Sequence, residues 1–272
     1  MSRFRSLLAL GLLLIGSPAW AHEFWISPEA YLIESGEEIQ ADLRVGQEFK
    51  GSAYPYNPAR FERFDLVQNG KSTSVQGRLG DRPALNVPAE ADGLVTIVHE
   101  TTDSRLTYRE WAKFEKFATH KDFKELLAEH RARGLPDEDF VELYRRFAKS
   151  LVAVGSARGS DSEVGLRTEI IALANPYTDA ISHMPIRLML DGNPRADAQI
   201  ELFDRAPDGA VEITLHRTDA QGEADLPVTP GHDYLVDAVT MIPLEADDVM
   251  EDPVWYSLWA AMSFAVPQTP LE

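Results

Sequence analysis

The sequence contains no cysteine. That excludes disulfide staples, thiolate catalysis and thiolate metal sites, so any metal would have to be held by His, carboxylates or the chain terminus. Basic residues are scarce: 26 Lys and Arg stand against 44 Asp and Glu, for a net charge of −18. A surface of that sign repels nucleic acid and anionic lipid, so a nucleic-acid partner is not expected. No nucleophile elbow, phosphate-cradling glycine loop, dinucleotide fingerprint or His-Glu-x-x-His motif is present, so the reading is of a non-enzyme. Apolar runs are short. The longest, Leu7 to Ile15, falls well below the ~20 residues needed to cross a bilayer.

That short run has a meaning of its own. Arg3 and Arg5 precede it, and Gly16-Ser17-Pro18 and Ala19-Trp20-Ala21 follow. A positive start, a short apolar stretch and a small-x-small site predict a secretory signal peptide over residues 1–21, cleaved after Ala21. The expected location is the periplasm, with no membrane insertion of the mature chain. Cleavage removes two arginines and no acid, taking the net charge from −18 to −20.

The mature chain changes texture twice. From His22 to about residue 104 it reads as short strands, such as Glu38–Val45 and Leu94–His99, with Asn69-Gly70 turning a hairpin between Phe64–Val67 and Ser72–Val75. Residues 105–155 read as a helical insertion. Thr107 with Glu110 resembles a capping box, and Asp122 with Glu125 a second helix start. A third helix is expected from Asp137, because Phe140, Tyr144, Phe147 and Leu151 recur at helical spacing. Residues 156–165 read as a linker. Strands then return over 166–272, separated by Asp191-Gly192, Asp208-Gly209, Gln221-Gly222 and Pro230-Gly231. The expected fold is mainly β: two β-sandwich-like domains, 22–155 and 166–272, the first carrying the helical insertion.

Among the residues able to carry chemistry, His22 stands out. Cleavage after Ala21 would put a free α-amine and an imidazole on one residue, and together they can close a chelate ring on a metal ion. A second imidazole would complete an all-nitrogen set, which suits Cu2+ best, then Ni2+ and Co2+. His99, at a strand end, and His120, in a turn between two expected helices, are the candidate further ligands. Glu23 or Glu100 would add acidic support around the site. His130 lies on an apolar stripe with Phe123 and Leu127 and reads as a hydrogen-bonded core histidine; His183, His216 and His232 read as structural. The acidic stretch Glu245–Asp252 lacks the spaced ligands and turning glycine of a calcium loop.

The start His22-Glu23-Phe24-Trp25-Ile26-Ser27-Pro28 resembles the His-x-Phe-Trp-x-x-Pro opening of an exported bacterial family of unknown function. That family is named for its likeness to NikM, the periplasm-facing component of nickel/cobalt uptake transporters. Val45-Gly46, the run Tyr144 to Leu151, the run Glu169 to Pro176, Thr218 to Gly222 and Trp255 to Trp259 extend the resemblance over the whole mature chain. It implies a two-part β-rich architecture and an association with transition-metal handling, and it carries only His22 as a site residue.

The expectation is therefore a periplasmic protein that buffers or delivers Cu2+ or Ni2+/Co2+, with an inner- or outer-membrane transporter as partner. The alternative is a metal-independent adaptor for a cell-envelope protein or glycan, using Trp25, Tyr54, Tyr56 and Trp255 as an exposed contact face. A terminal-histidine copper oxidase is a third reading, for which the sequence offers no substrate platform.

Overall fold

A computed structural model describes residues 22–271. The expected signal peptide lies outside the described residues. In chain order the first strands are β1 (Glu23–Pro28), β2 (Leu32–Ile33), β3 (Glu38–Gln47), β4 (Lys50–Tyr54), β5 (Phe61–Gln68) and β6 (Lys71–Ser74). They are followed by β7 (Leu85–Pro88), β8 (Gly93–Thr101), β9 (Ser104–Tyr108), the helices α1 (Trp111–His120) and α2 (Leu126–Ala132), and β10 (Phe140–Val154). The remainder is β11 (Thr168–Ala172), β12 (His183–Leu190), β13 (Asn193–Pro194), β14 (Gln199–Arg205), β15 (Val211–Arg217), β16 (Glu223–Pro227), β17 (Asp233–Pro243) and β18 (Pro253–Ala265).

These strands form three sheets. A large central one runs β15-β14-β17-β18-β10-β8-β5-β6, with β9 and β2 also on β10. A small sheet of β1, β3, β4 and β7 and another of β11, β12, β13 and β16 complete the set. Alternating residues of the central strands separate into two cores. Val236, Met262, Phe264 and Leu151 pack with Ile170, Ile186 and Leu226 of the β11–β12–β16 sheet. Leu235, Ala261, Ala148 and Val152 pack instead with Trp25, Ile26, Ile39 and Leu43 of the β1–β3 sheet. Side chains of a strand alternate between faces, so each small sheet covers one face of the central sheet in sandwich-like layers. The fold is mainly β, as the sequence predicts. No helix among the described residues is long and apolar enough to cross a membrane.

The expected hairpin falls where the pattern put it. Asn69 and Gly70 both have positive φ between β5 and β6, with Gln68 opposite Lys71, the backbone demanded by a two-residue hairpin. The turn between β3 and β4 does the same with Glu48 and Phe49, and Gly46 is required beside it: a Cβ there would lie 2.0 Å from the Lys50 carbonyl oxygen.

The third helix is a correction. Residues 140–154 are the strand β10, paired in parallel with β18 along one edge and with β9 and then β8 along the other. A strand inside a sheet covered on both faces buries successive residues, so the period of two disappears, and the large residues happened to fall at helical spacing. The capping box is corrected too. Thr107 belongs to β9, and α1 begins after Glu110 with no side-chain cap.

The 156–165 stretch has no strand or helix, yet it is firmly held. Asp161 is buried, and Lys149 of β10 donates to it at 2.7 Å and to Glu169 of β11 at 2.9 Å. The ten-stranded sheet takes strands from both sides of this stretch.

Candidate functional site

The three sequence-predicted ligands occupy three different settings. His22 directly precedes β1 and is partly buried, and Arg146 of β10 donates to its carbonyl at 3.1 Å. His99 is enclosed in β8, 2% exposed, with ring centroids of Phe24, Phe61 and Phe64 at 5.2, 5.4 and 5.0 Å. Neither of its ring nitrogens has a hydrogen-bond partner, and burial pulls its pKa to about 3, so it is neutral. His120 ends α1, with Nε2 3.3 Å from a Glu201 carboxylate oxygen. Among the described residues, no group of three or more His, Asp or Glu side chains is arranged to hold a metal ion.

Three of the remaining histidines are hydrogen-bonded within the fold. His130 is buried; Trp255 donates to its Nδ1 at 2.9 Å, which leaves Nε2 to donate to the Pro136 carbonyl at 2.9 Å. His232 pairs with Asp204 at 2.6 Å and His216 with Thr214 at 2.8 Å. The aromatic contact face expected of an adaptor is not formed. Trp25 and Trp255 are 1% and 0% exposed and Tyr56 is buried, which leaves only Tyr54 of the four at the surface. Their rings are large apolar surfaces, and the layered core takes them.

A site that the sequence did not single out lies where the β1–β3 sheet and α1 meet on one face of the central sheet. It is a pocket of about 410 Å³. Glu23 and Glu201 line its wall with Lys121, Phe117, Phe203 and Tyr108, and His120, Lys113, Lys116, Glu48 and Ile213 stand around it.

The pocket's charges follow from strand register. Glu201 of β14 lies directly opposite Asp237 of β17, and both are buried. Like charges facing each other across a strand pair are destabilising, so this pairing needs a cation. Lys121, the residue after α1, supplies it. Its ammonium lies 3.0 Å from Glu201 and 2.9 Å from Asp237, and 5.0 Å from the Trp259 ring centroid. Gln199 fixes the helix end by donating to the His120 carbonyl at 2.8 Å. Burial alone would lower the Lys121 pKa, but the Asp237 and Glu201 carboxylates outweigh it and raise it. Burial raises Asp237, whereas His120 and Lys121 overcome burial to hold Glu201 low.

Glu23 is the group left over. It is 5% exposed, its carboxyl receives its own backbone N–H, and Oε2 has no partner. Burial, then the charge of Asp237, pushes its pKa up to about 7. Asp237 Oδ1 is also without a partner. Native interiors leave few such atoms, and those that remain mark strain or function. Neither Lys121 nor the Glu201–Asp237 pair carries a local sequence signature, because the three meet only through pairings more than 30 residues apart.

Solved structures similar to this chain include a tetra-tandem repeat in the extending region of a large adhesion protein. It is 11% identical with a TM-score of 0.24, over 90% of this chain and 49% of that one. The D0–D1 domain of intimin matches at 14% identity and TM-score 0.21, over 89% and 97% of the two chains. A Salmonella alpha-2-macroglobulin reacted with methylamine matches at 12% identity and TM-score 0.23, over 91% and 15%. The chain thus spans about half the length of the adhesion-protein chain. Likenesses this loose assign neither fold nor function. No curated protein matches the chain. Residues 19–242 match the family described as Domain of unknown function (DUF4198), and the chain belongs to that family.

Proposed function

We propose that this protein is an exported, periplasmic binding protein for a first-row transition metal, Cu2+ or Ni2+/Co2+, which it buffers or delivers to a membrane transporter. The ion would be held at the chain start that cleavage after Ala21 creates, by the amine and imidazole of His22. The resemblance to the NikM-like exported family agrees with this reading.

One observation carries it: residue 22 is not a loose tail. Arg146 grips its carbonyl, and the next residue is built into a sheet with an unpartnered carboxylate in a pocket wall. A fixed start presents amine and ring in one geometry, and the pre-organisation lowers the entropic cost of binding. Of the two further candidate ligands, His120 lines the pocket that Glu23 lines, whereas His99 lies behind three phenyl rings and does not.

The test is a calorimetric titration with Cu2+ and with Ni2+ of processed protein and of a form with one extra N-terminal residue. Processed protein should bind. The extended form and His22→Ala should each lose more than the ~10–100-fold typical of changes around, rather than at, a metal ligand. Binding should also fade below about pH 6, since amine and imidazole must release protons to coordinate. Equal affinity in processed and extended protein would overturn the reading.

A further inference from the structure

We propose that the pocket between β1, α1 and β14 binds a small organic molecule carrying a primary ammonium on an apolar body, with the Glu23 carboxylate as its counter-charge. The pocket's composition argues for this class. Its volume of about 410 Å³ lies within the range of small-molecule sites and far exceeds a bare ion. Leu106, Phe117, Phe203 and Ile213 supply apolar wall, which a metal ion would not use.

The polar side is lopsided. Three carboxylates, Glu23, Glu201 and Asp237, influence one another's ionisation around a single buried ammonium, that of Lys121. Lys121 is already engaged with two of them, so Glu23 retains a buried oxygen with no donor. The same corner shows how it accommodates an ammonium, because Lys121 sits between carboxylates and against the Trp259 face. A ligand ammonium would give Glu23 the partner that Lys121 gives Glu201 and Asp237. Such charge-assisted hydrogen bonds are among the stronger ones.

Charged groups converge on Glu23 from several elements. Lys121 at the end of α1 favours its ionised form, while Asp237 on β17 and Glu201 on β14 oppose it. Arg146 on β10 is a further nearby cation. At the mouth, Lys113 is paired with Glu110 at 2.8 Å, and His120 faces Glu201. This inference needs neither a free amine at residue 22 nor its imidazole, so it stands or falls separately from the metal reading.

The experiment is an NMR and calorimetric titration of the processed protein with phenethylamine, set against 2-phenylethanol, which has the same apolar body and no charge. Phenethylamine should bind at least about ten-fold more tightly than the alcohol at pH 8. Glu23→Gln should remove that preference while leaving the weak alcohol binding in place. Ile213→Lys, a change at a rim residue 41% exposed and therefore tolerant of charge, should weaken the amine without disturbing the fold. His22→Ala should leave phenethylamine affinity intact while abolishing any Cu2+ or Ni2+ affinity. No saturable phenethylamine binding at pH 8 would overturn the proposal, as would equal affinity in wild type and folded Glu23→Gln.

Discussion

Two buried lysines do opposite things in this protein. Lys149 lies between Asp161 and Glu169, and every oxygen around it is accounted for. Asp161 also accepts from Thr96 and from the Ala172 backbone, and Glu169 from the backbone N–H groups of Val164, Gly165 and Leu166. Lys121 lies between Glu201 and Asp237, yet its cluster leaves oxygens of Asp237 and of nearby Glu23 without partners, and it borders a pocket. The first cluster is closed and ties a loop to two sheets. The second is open. A buried ion pair is weak evidence for stability by itself, so what separates the two is completeness of hydrogen bonding.

The comparison breaks most readily at Lys149. Lys149→Met should cost about 3–5 kcal/mol in denaturant unfolding, because it removes the ammonium between two buried carboxylates. Lys121→Met should cost less, roughly 1–3 kcal/mol, since pocket water can reach the vacated corner and Asp237 can protonate. If the Lys121 variant proves the less stable of the two, the closed-versus-open distinction is wrong.

Glu23 sharpens the contrast through pH. Its folded pKa is raised to about 7, so the protonated carboxyl stabilises the fold fully below the unfolded value near 4.5. That contribution is lost as pH rises from 4.5 to 7. Glu142, raised to about 7 by burial, adds a slope of the same sign. Unfolding free energy measured across that interval should fall with pH, less steeply in Glu23→Gln and least in the double variant with Glu142→Gln. An unchanged slope in Glu23→Gln would mean that the carboxyl is solvated.

The smallest effect belongs to His99, a neutral ring with two unpartnered nitrogens in an aromatic cage. His99→Leu should raise stability by about 1 kcal/mol, read as a higher urea midpoint, because it removes buried polar atoms that have no partners. A loss instead would show that those nitrogens are satisfied in solution.

What was legible in the sequence depended on how many faces an element buries. The β5–β6 hairpin could be read from Asn69-Gly70 and β8 from its run of Leu, Val and Ile, because local turn chemistry and composition were enough. β10 could not: its residues are covered on both faces, and Phe140, Tyr144, Phe147 and Leu151 imitated a helix. His130 was readable as a core histidine from the apolar stripe it shares. In the sequence Glu23 stands out only as the neighbour of His22, whereas its pocket depends on Glu201, Asp237 and Lys121 meeting across distant strands, which no local pattern encodes.

β10 also sets the order in which the chain can assemble. Its parallel partner, β18, is synthesised about a hundred residues later, and the two pair from Val141 to Ser150. Until β18 arrives, the middle of the central sheet has an open edge, and neither β14 nor β17 can join β10 except through it. Contacts of such long sequence separation slow folding. The nascent chain thus stays unclosed until β18 has emerged, and a ribosome stalled before Pro253 would hold two half-sheets without the strand that pairs with both.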